Sequence, residues 1–175
     1  AGTFFTAFFV IPEIGTRLGH YLASAFVAIA LAALLAETRQ WRSIAATIAA
    51  FALLYPWPPA LPAHVIYRAE SIHNIIEVHD HPNVRALYLN YTTGVQTLEV
   101  KGQVLTGEYF DLFLLGPHLS GGRKVLMLGA AGGVSMKQIA TVFPDADITG
   151  VDLDPAVLRV AREYFGLRDY PRIRL

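Results

Sequence analysis

Arg123–Ala140 reads RKVLMLGAAGGVSMKQIA. An apolar strand, KVLML, runs into a glycine turn, GAAGG, and the turn into a helix, VSMKQIATVF. A second strand, DITGVD, follows. The helix after it, DPAVLRVAREYFG, has Pro155 near its first turn and Gly166 at its end, and PRIRL begins a third strand. This alternation predicts the first half of a doubly wound α/β sheet, with KVLML covered on both faces and a ligand held beyond the carboxyl ends of the strands.

Placement on that scaffold gives the chemistry. Gly129, Gly132 and Gly133 let the backbone approach a ligand closely, and the helix N-terminus offers free N–H groups. Asp152 ends the second strand about 20 residues past the loop, where an acid accepts hydrogen bonds from ribose hydroxyls. Asp154 reads as the N-cap of the second helix. Dinucleotide sites favour G-x-G-x-x-G, yet Gly129 is followed by Ala130, Ala131, Gly132 and Gly133, so the glycine under a pyrophosphate is displaced. An adenosine-bearing sulfonium needs no such register, and the VDLDP ending, Val151–Pro155, points the same way.

Upstream, NIIEVHD, RALYLN and VQTLEV alternate polar and apolar residues between the turn signals HPN and YTTG. They predict a small antiparallel β unit from about Ile66 to Val104, followed by a short apolar helix in EYFDLFLLGPHL. His79 and His81 share a strand face at a spacing seen in metal sites. No third ligand is evident in the sequence, so the expectation is polar surface positions and no metal. Asp80 with HPN reads as turn chemistry.

The 175 residues carry no net charge and no cysteine. Nucleic acid, disulfides and thiolate metal sites are therefore not expected. Apolar residues make up 54% and mean hydropathy is +0.41, with the excess lying before Pro62. Tyr21–Ala36 and Ser43–Trp57 are uncharged, Trp41 and Trp57 bracket the second run, and AGTFFTAFFVIP opens the chain. These runs lead to an expectation of membrane helices in a multi-pass protein. Arg39 and Arg42 against Arg17 leave orientation open, and an S-adenosyl cofactor favours a cytoplasmic soluble part. The expected organisation is transmembrane helices over 1–58, a Pro-rich linker over 59–64, a β-rich unit over 65–120 and an incomplete Rossmann-like, methyltransferase-type domain over 121–175.

The order ESIHNIIEVHD, LYLN, GVQT, a Tyr-initiated helix ending in Pro, the glycine loop and VDLDP resembles the polyamine aminopropyltransferases, the spermidine synthases. With the apolar GTFFTAFFVIPEIGTRLG, it is similar to their membrane-spanning branch. The resemblance implies decarboxylated S-adenosylmethionine, or S-adenosylmethionine, as co-substrate and no metal. It implies cofactor binding by Gly129, Ala131, Gly132, Gly133, Asp152, Leu153, Asn74 and Gln96, and amine binding by Tyr109 and Asp111. Expected partners are a small-molecule amine, membrane lipid and a second copy of the chain. Three departures stand out: Phe110 replaces a family His, Asp111 a family Glu, and Ala131 the loop Asp that helps hold the amine end. The family's catalytic Asp would lie beyond Leu175, as in a fragment of a longer protein. Two other readings stay open, an S-adenosylmethionine-dependent methyltransferase and a non-catalytic nucleoside- or polyamine-binding membrane protein.

Overall fold

The structure, a computed structural model, describes residues 11–37, 41–54, 60–91 and 94–175. The chain divides into two compact units, Ala1–Leu61 and Pro62–Leu175. In the first, helices α1 (Ile11–Glu37) and α2 (Trp41–Leu54) pack together. Gly15 breaks α1 near its start with non-helical angles, φ 79 and ψ 165.

The expectation of transmembrane helices over 1–58, and of a multi-pass membrane location with lipid as a partner, is corrected here. Among the described residues no helix is long and apolar enough to cross a membrane. The physical reason is apolar length. Tyr21–Ala36 rises only about 24 Å as helix, and the 14 residues of α2 about 21 Å, against roughly 30 Å of hydrocarbon. The opening stretch 1–10, Arg39, Trp57 and the side chain of Trp41 lie outside the described residues.

The second unit begins with four strands, β1 (Val65–Glu70), β2 (Ile75–Asp80), β3 (Val84–Leu89) and β4 (Val95–Val100). They form an antiparallel meander in sequence order. The HPN turn closes as expected, with the His81 N–H donating to the Val84 carbonyl at 2.8 Å. Between β3 and β4, Asn90 and Tyr91 take positive φ. Of the YTTG signal, Thr92 and Thr93 lie outside the described residues. The segment after β4 is a 3-10 helix, Tyr109–Leu114, which runs into the one-and-a-half-turn helix α3 (Leu115–Ser120).

Then β5 (Lys124–Leu128), α4 (Val134–Val142), β6 (Asp147–Val151), α5 (Pro155–Tyr164) and β7 (Ile173–Arg174) build a parallel sheet in the order β5-β6-β7. Because the order advances one way, right-handed crossovers place α4 and α5 on the same face. Met136, Ile139, Ile148, Val157, Val160 and Phe165 are buried there with Ile76, Val78 and Leu87 of the meander. The other face is open among the described residues, with Leu126 62% and Leu128 75% exposed. The expectation of a KVLML strand covered on both faces therefore meets a strand covered on one.

Candidate functional site

The glycine loop is tied down residue by residue. The N–H groups of Gly129 and Ala130 both donate to the Val151 carbonyl at the end of β6, at 3.0 and 2.9 Å. Gly129 and Gly133 adopt positive φ, 80 and 77, which only glycine reaches without strain. Ala131 adopts φ 46, a left-handed conformation uncommon for a residue with a Cβ. Gly132 has no room for a side chain, since a Cβ would lie 2.8 Å from Thr97 Cγ2. Its N–H donates to Thr97 Oγ1 at 2.8 Å, so strand β4 holds the loop directly.

Asp152 closes this arrangement from β6. Its Oδ2 accepts from the Ala131 N–H at 3.1 Å and its Oδ1 from the Asp154 N–H at 3.0 Å. Each oxygen keeps a second lone pair for a ligand. Leu153, beside it, is 78% exposed. Asp154 caps α5, with Oδ1 accepting from the Ala156 N–H at 2.9 Å. Its other oxygen takes hydrogen bonds from the Ser71 hydroxyl and, at 2.9 Å, from Asn74 Nδ2. Burial alone would raise the Asp154 pKa, but the Ser71, Asn74 and Ala156 hydrogen bonds hold it below its ordinary value.

A cavity of about 160 Å³ opens beside the loop, lined by Gln96, Tyr109, Phe113, Gly129, Ala131 and Gly133 among others. That volume is below the roughly 300–1,000 Å³ of a whole small-molecule pocket. Phe110, buried and tilted against the Tyr109 ring at 4.1 Å between centroids, also lines it.

The structure thus gathers Gln96, Tyr109, Gly129, Ala131 and Gly133 around one cavity, with Gly132 and Asp152 in the loop's hydrogen bonds. Two expected residues are occupied differently. The Asn74 amide donates to Asp154 and accepts from Asn90 Nδ2 at 2.9 Å. Asp111 accepts from the Thr106 N–H and hydroxyl, the Gly107 N–H and Gln138 Nε2, at 2.6 to 2.9 Å. Burial would raise the Asp111 pKa, and those donors lower it instead. Sequence reasoning missed Thr97 and Ser71. Thr97 could have been found, since period-two alternation turns it inward beside an outward Gln96. Ser71 reaches Asp154 over 83 positions, and no local pattern marks that.

No family model matches the chain. It is 34% identical over 103 residues to a probable polyamine aminopropyl transferase of Bifidobacterium longum (strain NCC 2705). That match takes in 58% of this chain and 23% of the relative. The chain is thus similar to a protein named as a polyamine aminopropyl transferase. Solved structures named as spermidine synthases share its fold. A probable spermidine synthase from Corynebacterium glutamicum ATCC 13032 superposes with a TM-score of 0.53 at 19% identity, over 65% of this chain and 44% of that one. A spermidine synthase in complex with the transition-state analogue AdoDATO gives 0.50 at 21% identity, over 63% and 39%. At those identities the likeness establishes the Rossmann-like fold. The chain spans under a quarter of the length of its aminopropyl transferase relative.

Proposed function

We propose that this chain carries the adenosyl-binding part of an aminopropyltransferase, with decarboxylated S-adenosylmethionine as donor and a polyamine as acceptor. The observation that carries the reading is Asp152. It stands at the end of β6 with its carboxylate hydrogen-bonded to the Ala131 N–H of the glycine loop, so acid and loop form one rim. In the proposed complex the free lone pairs of Asp152 accept from the ribose hydroxyls, with Leu153 beside them. The backbone of Gly129–Gly133 lies under the adenosine, and Gln96 and Tyr109 face the chain attached to sulfur across the cavity. Asn74 acts through Asp154, which fixes the turn after β6, and Asp111 acts by holding the 3-10 helix that presents Tyr109. A likeness to a protein named polyamine aminopropyl transferase supports the assignment.

In the reaction, the amine nitrogen attacks the propyl carbon bonded to the sulfonium. The C–S bond breaks, methylthioadenosine leaves, and the amine gives up a proton. This chain's part is orientation: holding the sulfonium so that attack is in line contributes through proximity. One observation favours a second reading. Ala131 brings no carboxylate to the amine end, which fits ordinary S-adenosylmethionine as a methyl donor. Calorimetric titration with decarboxylated S-adenosylmethionine, S-adenosylmethionine and NAD separates these readings. The decarboxylated donor should bind best, and Asp152→Asn should weaken it about 10–100-fold, from the loss of a charge-assisted hydrogen bond of about 1.5–3 kcal/mol. Preference for S-adenosylmethionine favours methyl transfer. Absence of binding by either sulfonium, or an Asp152→Asn variant that binds as well as wild type, refutes the adenosyl site.

A further inference from the structure

His64, His79 and His81 lie far from the glycine loop in sequence, and the fold brings them together. One ring nitrogen from each falls within 4.8 Å of one from every other. The His64 ring centroid is 5.0 Å from both other rings, stacked on His81 and edge-on to His79. The sequence offers only the pair His79 and His81, because His64 sits in a proline-rich stretch that has no strand period.

The third member is delivered by a register irregularity. β1 and β2 pair with Tyr67 opposite Val78 but Val65 opposite His79, so one extra residue of β1 is accommodated between them. Such a bulge re-aims side chains at the end of a strand. The Asp80 N–H then donates to the His64 carbonyl at 2.7 Å, which seats the His64 backbone against the link between the other two histidines. His79 is oriented as well. Its Nε2 donates to Glu77 Oε2 at 2.9 Å, and buried Glu77 is itself held by Arg68 Nε at 2.7 Å. A carboxylate on one imidazole nitrogen is the usual outer support of a metal-binding histidine, because it fixes the tautomer that leaves the other nitrogen bare.

We propose that His64, His79 and His81 form a binding site for a divalent transition metal ion of the zinc class, with His79 bound through Nδ1 and positioned by Glu77. Three neutral imidazoles favour zinc, copper or nickel over magnesium or calcium, which take oxygen ligands. Asp80, the neighbouring carboxylate, is paired with Arg85 and Lys101 and is not needed as a ligand. Bonds of about 2.0–2.1 Å in a tetrahedral site put ligand nitrogens about 3.3 Å apart, so the rings close by side-chain rotation. A fourth position is left for water. The ion would clamp the entry to β1 onto β2.

The test is a titration of the whole chain with Co²⁺, read by the visible absorption of a tetrahedral ion, and with Zn²⁺ against a chromogenic chelator. One ion per chain is expected. His64→Ala, His79→Ala and His81→Gln should each weaken binding at least tenfold, and Glu77→Gln about 10–100-fold, as loss of an outer-shell partner does. His73→Ala and His118→Ala should bind as wild type. His81 is exposed, so His81→Gln leaves the sheet intact, and circular dichroism of each variant identifies any loss that is unfolding. Absence of stoichiometric binding overturns the proposal. So does an unchanged affinity in folded His81→Gln, or an equal loss in His73→Ala.

Discussion

Replacing Thr97 tests the link between the meander and the glycine loop. Thr97 is 3% exposed, and its Oγ1 receives the N–H of buried Gly132 at 2.8 Å. Thr97→Val keeps the branched shape and removes the acceptor. A buried N–H without a partner costs about 1–3 kcal/mol, and the extra apolar group returns roughly 0.8 kcal/mol. The net expectation is a loss of about 0.2–2 kcal/mol. Thr97→Ser keeps the acceptor and deletes one methyl, for about 0.8–1.5 kcal/mol including the small void.

The two variants therefore separate on function more than on stability. Urea unfolding, with a slope of about 2 kcal/mol/M, should move the midpoint of Thr97→Val down by about 0.1–1 M. Adenosyl-ligand affinity, measured on the folded protein, should fall for Thr97→Val and stay near wild type for Thr97→Ser, because only the first frees the loop. If Thr97→Val is as stable as wild type, the hydrogen bond does not hold the loop. If Thr97→Ser loses ligand affinity and Thr97→Val does not, the reasoning is wrong at its base.

Ala131→Gly should raise stability by up to about 1 kcal/mol, since a left-handed non-glycine costs about 1–3 kcal/mol and glycine returns part as chain entropy. Gly133→Ala should do the reverse. Its Cβ would sit 2.4 Å from Leu167 Cδ2 at φ 77, and the conformation alone costs about 1–2 kcal/mol, so thermal melting should show a lower midpoint. Stability should also fall on acidification. Hydrogen bonds from Arg85 and Lys101 lower the Asp80 pKa to about 2, against about 3.9 unfolded. A carboxyl depressed in the native state adds stability above the unfolded value and loses it as pH falls from about 4 to 2. Denaturant midpoints across that range should drop for wild type and drop less for Asp80→Asn.

The strands and helices after Pro62 could be read because each carries its own period and its own stop: Gly166 past α5, Pro155 at its start, HPN between β2 and β3. The glycine loop was legible for the same reason. What escaped reading depends on distance along the chain or on how much covers an element. Tyr21–Ala36 is uncharged and close to the roughly 17–25 apolar residues of a span, yet no described helix is long and apolar enough to cross a membrane. The family resemblance makes Asn74 a ligand contact, while its partner in the fold, Asp154, lies 80 positions away. His64 needed the bulge between Val65 and Tyr67 before it could join His79 and His81. The open face of β5 needed the strand order, because a run such as KVLML looks the same under one layer as under two.

The hydrogen bonding of the loop also bears on which adenosine-bearing ligand it suits. A loop that binds pyrophosphate does so with free backbone N–H groups aimed at the anion. Here Gly129 and Ala130 donate to Val151, Ala131 to Asp152, Gly132 to Thr97, and Gly133 back to the Ala130 carbonyl at 2.9 Å. All five N–H groups have acceptors inside the protein. Receiving a pyrophosphate would mean breaking several of these bonds, two of them to buried or partly buried side chains, at about 1 kcal/mol each or more. A sulfonium nucleoside makes no such demand, because it carries no pyrophosphate. The displaced glycine spacing is thus the visible consequence of a loop whose donors hold it in shape, and NAD should bind far more weakly than either sulfonium in the titration described above.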